Sequence, residues 1–137
     1  MKQINIGVIG TGWCGGIRTE TARNNPLVKD IHISETNEIR LKEMADKIGA
    51  KTATTDYKEL LKIDDIDAII ISATPETTHF PMARDALIAG KHVFLEKPIA
   101  IALEEADELI ALAKQKKLKF TIGYSQRFNP KFAYVKK

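Results

Sequence analysis

Short apolar runs alternate along the chain with amphipathic stretches. Ile4 to Ile9, Val28 to Ser34 and Ala68 to Ser72 read as strands, and Lys51 to Ala53, His92 to Leu95 and Lys119 to Ile122 complete the set. Ile69, Ile70 and Ile71 are consecutive. Such a run is apolar on both faces, as a central parallel strand requires when helices cover both sides of a sheet. Between the strands the period changes to that of a helix. Over Glu38 to Ile48, Leu41, Met44, Ala45 and Ile48 share one face, with Asn37 as cap and Gly49 as stop. Phe80 to Ala89 places Ala83, Ala86 and Leu87 together. Pro81 is tolerated only in a first turn, so this helix begins near Thr78 or His79. Leu103 to Lys117 turns Leu103, Ala106, Leu109, Ile110 and Ala113 inward. Its first turn is acidic (Glu104, Glu105) and its last basic (Lys114, Lys116, Lys117), matching the helix dipole. The alternation predicts an α/β fold, a doubly wound parallel sheet, over residues 1–123. Residues 124–137 break the rhythm and resemble the start of a helix rather than a finished terminus.

Composition adds bounds. A chain of 137 residues, 44% hydrophobic and 28% charged, can bury one core without disulfides or metals. A net charge of +3 gives no reason to expect nucleic acid as a partner. Cys14 is the one cysteine, so no internal disulfide forms and a cytoplasmic location is expected. No leader-like segment precedes Ile4, and no apolar run approaches the ~18 residues of a membrane span, so no membrane partner is expected. After Glu108 there is no acid, while Lys114, Lys116, Lys117, Lys119, Arg127, Lys131, Lys136 and Lys137 carry positive charge. Such a block reads first as a solvated surface.

Gly10-Thr11-Gly12-Trp13-Cys14-Gly15 follows the first strand and opens a helix, the context that gives G-x-G-x-x-G its meaning. Gly10 permits the tight turn, Gly12 lets a pyrophosphate approach the backbone, and Gly15 lets helix pack on strand. N–H groups from Trp13 and Cys14 onward would face the phosphates. Cys14 is read as part of this backbone motif rather than as a reactive thiol. Glu35 ends the second strand twenty residues after Gly15. An acid there accepts hydrogen bonds from adenosine ribose hydroxyls and repels a 2′-phosphate, so NAD is expected over NADP. Competing motifs fail. Gly15 is followed by Gly16-Ile17 rather than the Lys-Ser/Thr of a P-loop, there is no Tyr-x-x-x-Lys pair, and His32, His79 and His92 lack metal-ligand spacing.

Two further stretches, Ser72-Ala-Thr-Pro-Glu-Thr-Thr-His79 and Gly90-Lys-His-Val-Phe-Leu-Glu-Lys-Pro98, stand with the glycine loop and Gly123-Tyr-Ser-Gln-Arg-Phe-Asn-Pro130 in one order. Together they resemble the N-terminal NAD(P)-binding Rossmann domain of the glucose-fructose oxidoreductase/inositol dehydrogenase family, over essentially the whole chain. The resemblance implies that Gly10, Thr11, Gly12, Trp13, Cys14 and Gly15 form the phosphate loop. It makes Glu35 the ribose-binding acid, and it places Ala73, Thr74, Pro75 and His79 along the ribose and nicotinamide. It sets Glu96 and Lys97 beside the nicotinamide, with Lys97 polarising the substrate. It implies hydride transfer between nicotinamide and a hydroxyl-bearing carbon of a sugar, polyol or similar molecule. Three departures stand out. Arg18 occupies a position that is His in many members, Ala102 takes the place of a capping Ser or Thr, and no Gly-x-x-His-x-x-Asp-like acid/base motif is present. This chain alone is therefore expected to bind cofactor but hardly to turn over. The rival expectations are a stand-alone, non-catalytic nucleotide-binding module and a domain recruited through its basic tail. A homo-oligomer is expected from Phe128, Phe132, Tyr134 and Val135, four large apolar or aromatic residues beyond the last strand.

Overall fold

The computed structural model describes residues 2–136. Six parallel strands form one sheet: β1 (Ile4–Ile9), β2 (Val28–Ser34), β3 (Thr52–Thr54), β4 (Ala68–Ile71), β5 (His92–Leu95) and β6 (Phe120–Ile122). Their order across the sheet is β3-β2-β1-β4-β5-β6. The chain leaves β3 at one edge and crosses to β4 on the far side of β1. This creates a switch point between β1 and β4, where ligands bind at the carboxyl ends of such sheets. The helices are α1 (Trp13–Arg23), α2 (Glu38–Ile48), α3 (Tyr57–Leu61), α4 (His79–Ile88), α5 (Leu103–Gln115) and α6 (Pro130–Val135). Among the described residues no helix is long and apolar enough to cross a membrane.

The isoleucine run of β4 serves both faces. Ile69 and Ile71 enter a core with Leu60 of α3, Ala83, Ala86 and Leu87 of α4, and Leu109 and Ala113 of α5. Ile70 packs on the opposite core of Ile6, Val8, Ile31, Ile33 and Ile48. Asn37 caps α2 by accepting from the Arg40 N–H, and Gly49 closes it in the left-handed region at φ 63°. Lys91 is buried at the entrance to β5. Its ammonium donates to the carbonyls of Ile63 (2.8 Å), Asp64 (3.2 Å) and Ile66 (2.8 Å), tying that strand to the turn before β4.

Several expectations are corrected. On α5, Leu103 and Ile110 are exposed, and Leu112 packs on the core instead. β3 lies one residue later than expected, α5 ends two residues earlier, and α3 is an additional helix. The segment from Tyr124 onward forms a short 3-10 turn (Ser125–Phe128) and α6, and no residue of either is buried.

Candidate functional site

The turn after β1 and the start of α1 form the floor of a cleft of about 560 Å³ at the switch point. Its three motif glycines have different reasons to be glycine. Gly10 sits at φ +83°, and a Cβ there would lie 2.7 Å from the Ala73 Cα. A Cβ on Gly15 would lie 1.9 Å from the Gly10 carbonyl oxygen. Both are requirements of the fold. Gly12 is different. Its backbone is extended, and a Cβ would meet nothing nearer than the Arg40 guanidinium at 3.7 Å. The fold has no need of glycine there, and the space above it lies open to the cleft. Gly12 is also the N-cap of α1 without a side chain to cap it, and the first turn holds no acid. The first-turn N–H groups, which have no partner within the helix, and the positive end of its dipole are left for an anion.

Glu35 stands at the β2 side of this floor and is buried. Its Oε2 accepts from the Thr11 N–H (2.9 Å), the Thr11 hydroxyl (3.2 Å) and Arg40 Nη1 (3.3 Å), and its Oε1 accepts from the Asn37 N–H (3.0 Å). Burial works to raise its pKa. The N–H groups of Asn37 and Thr11, then Arg40 and the Thr11 hydroxyl, outweigh burial and hold it below the usual carboxylate value. Glu35 is thus an ionised anchor for the glycine loop as well as a wall of the cleft. Arg40 was not found by motif reading, because an arginine on the exposed first turn of α2 has no sequence signal. Tyr57 was missed too, since α3 was not foreseen. It lines the cleft and donates its hydroxyl to Asp85 (2.8 Å). Burial and the Asp85 carboxylate push its pKa up to about 12.

On the other side, Ser72, Ala73 and Thr74 line the cleft at the carboxyl end of β4. The Ser72 hydroxyl is buried and has no hydrogen-bond partner among the described residues. Trp13 and Cys14 line the mouth and are exposed. Pro75 is exposed just beyond the lining. His79 is buried at the start of α4. Its Nδ1 lies 2.7 Å from the Pro98 carbonyl oxygen and its Nε2 lies 3.1 Å from that of Ala73. The ring therefore joins the loops after β4 and β5 rather than facing the cleft. Glu96 also turns toward protein: Oε1 accepts from the Lys97 N–H (3.0 Å), and Oε2 pairs with Arg18 of α1. Lys97 lies in an adjoining cleft of about 470 Å³, shared with Gly123 to Arg127. The structure thus brings the glycine loop, Glu35, Ala73 and Thr74 together, and sets Lys97 beside them.

The donor set fits a dinucleotide. An open glycine and free helix N–H groups suit a pyrophosphate, an acid at the end of β2 suits a ribose, and an unpartnered hydroxyl awaits a polar group across the switch point.

Residues 4–124 match the GFO_IDH_MocA family model, an oxidoreductase family with an NAD-binding Rossmann fold. The chain is 36% identical over 135 residues to the uncharacterized oxidoreductase YrbE of Bacillus subtilis, covering 98% of this chain and 39% of that protein. It is 33% identical to the myo-inositol 2-dehydrogenase of Thermotoga maritima, covering 97% of this chain and 40% of that one. Its fold superposes with a TM-score of 0.90, at 30% identity, on the scyllo-inositol dehydrogenase from Lactobacillus casei with bound NAD(H) and scyllo-inositol, covering 98% and 40% of the two chains. The chain therefore spans about two fifths of the length of these relatives.

Proposed function

The chain belongs to the GFO_IDH_MocA family of oxidoreductases with an NAD-binding Rossmann fold, and from that premise we infer that it is the cofactor-binding part of an enzyme that moves a hydride between a nicotinamide dinucleotide and a hydroxyl-bearing carbon. The substrate class is a sugar, polyol or similar small molecule, in keeping with the two inositol dehydrogenases it resembles. Residues 1–123 form the binding domain, and 124–137 lead toward a second domain that supplies the acid/base and most of the substrate pocket. The chain by itself binds cofactor and turns over little. A single cysteine fits a reducing, cytoplasmic setting.

The observation that carries this reading is the space above Gly12, which the fold does not need and a pyrophosphate does. The remaining roles follow from position. The first-turn N–H groups of α1, from Trp13 and Cys14 to Gly15, bind the diphosphate. Thr11 is held in place by Glu35, which lines the cleft where the adenosine ribose binds. Ala73, Thr74 and Pro75 border the nicotinamide ribose. His79 and Glu96 position the loops that carry these groups, through Pro98, Ala73 and Lys97. When bound, the dinucleotide supplies the hydride-accepting ring. Lys97, which lines the adjoining cleft, stabilises negative charge on the substrate oxygen.

NAD is the preferred form. A 2′-phosphate beside the buried Glu35 carboxylate is repelled, and Arg40 offsets only part of that repulsion. Calorimetric titration is expected to give NAD(H) about tenfold tighter binding than NADP(H), about 1.4 kcal/mol. Equal or tighter NADP(H) binding overturns the assignment of Glu35.

A further inference from the structure

Arg18 lies on the side of α1 that faces β5 and β6, and three neighbours hold it there. Its guanidinium pairs with Glu96. The guanidinium carbon sits 4.9 Å from the centre of the Phe94 ring, within cation–π range. Gly123 leaves room for it, since a Cβ there would lie 3.1 Å from Nη2 and 3.3 Å from the Phe94 ring. The ion pair is mostly withdrawn from water, with side-chain exposures of 23% for Arg18 and 14% for Glu96. The same Glu96 accepts the Lys97 N–H through its other oxygen. A single arginine thus links the helix of the glycine loop to the loop after β5 and neutralises the carboxylate there.

That location gives the charge a consequence. In a sheet of this order the dinucleotide runs across the switch point, with its adenosine toward β2 and its nicotinamide toward β4 and β5. The nicotinamide ring is cationic when oxidised and neutral when reduced. A bare, poorly hydrated carboxylate at the end of β5 would attract the oxidised ring alone, and an arginine paired with it cancels that attraction. We propose that Arg18 is a positioning residue that, by neutralising Glu96, sets the balance between oxidised and reduced cofactor and keeps the reduced form from being discriminated against. The proposal rests on the reading of the cleft as a dinucleotide site.

The test measures both redox forms on the same 137-residue chain. NADH binding is read from quenching of the sole tryptophan, Trp13, at the mouth of the cleft, and NAD+ by competition. Arg18→Met keeps the length and apolar stem but removes the charge. It is expected to raise the NADH-to-NAD+ ratio of Kd values about three- to tenfold. Glu96→Gln should move the ratio the other way, and the double variant should return it toward the wild-type value. Because Glu96→Gln is nearly isosteric, it carries the test even if Arg18→Met fails to fold. Loss of affinity for both forms in equal measure, or an unchanged ratio in the charge variants, overturns the proposal while leaving the dinucleotide site standing. Failure of the wild-type chain to bind either form overturns the dinucleotide reading and this proposal with it.

Discussion

His32 on β2 is buried, and neither of its ring nitrogens has a hydrogen-bond partner among the described residues. Burial lowers its pKa below the model-peptide value of 6.5, with Lys51 acting in the same direction and Asp65 and Asp30 opposing. The unfolded chain therefore binds a proton as pH falls through about 6.5, while the folded chain does not until lower pH. Stability is expected to be level in this group above pH 6.5. Below it, stability falls with a slope approaching about 1.4 kcal/mol per pH unit until His32 protonates in the fold. Urea unfolding at a series of pH values would show this, and His32→Leu should flatten that part of the curve. An unchanged slope in the variant would show that other groups set it. His32 also marks a limit of sequence reading. Its alternation with Ile31 and Ile33 predicts a residue on the other face of the sheet, but nothing local reveals that α3 closes over that face. His79 teaches the same lesson at the site, since its motif position was legible and its two carbonyl neighbours, six and nineteen residues away, were not.

At the level of elements, β1, β2 and β5 begin and end where the reading of their apolar content places them, and β4 stands out because a central parallel strand is apolar on both faces. α3 was not legible, because the five residues Tyr57–Leu61 are too few to show a helical period. On α5 the apolar surplus misled the reading. Leu103, Leu109, Ile110 and Leu112 allow two stripes, and packing against α4 selects the one through Ala106, Leu109, Leu112 and Ala113. The same helix starts on Ala102, which offers no acceptor to its N–H groups, although Glu105 reaches back to the Ala102 N–H (3.4 Å). Half of a capping box is present. Ala102→Asp should supply the other half and stabilise the domain by about 1 kcal/mol, raising Tm by roughly 3–5 °C. Scanning calorimetry checks this, and a lower Tm would mean that the start of α5 is held by contacts an aspartate breaks.

For the molecule as a whole, the doubly wound parallel sheet was legible in the alternation of elements, as was the exposed apolar tail beyond its last strand, while the order of the strands was not. Phe128, Tyr134 and Val135 are 87%, 80% and 82% exposed, and α6 covers none of the sheet's core. Together with Phe132 they form an apolar patch amid lysines, of the kind that monomers seldom leave bare. The chain is expected to self-associate through this patch, and removing residues 124–137 should leave a monomer in sedimentation. A strictly monomeric chain at high concentration would contradict this. The central claim concerns the cleft over the glycine loop, which takes a dinucleotide. Gly12→Val tests it most directly, because the fold leaves room for a Cβ at Gly12 and a pyrophosphate on the glycine loop would not. NADH titration of Trp13 fluorescence should show saturable binding by the wild-type chain and a loss of about a hundredfold or more in the variant, about 2.7 kcal/mol, with unchanged circular dichroism and Tm. A folded Gly12→Val chain that binds NADH as well as the wild type would show that the glycine loop is only a turn.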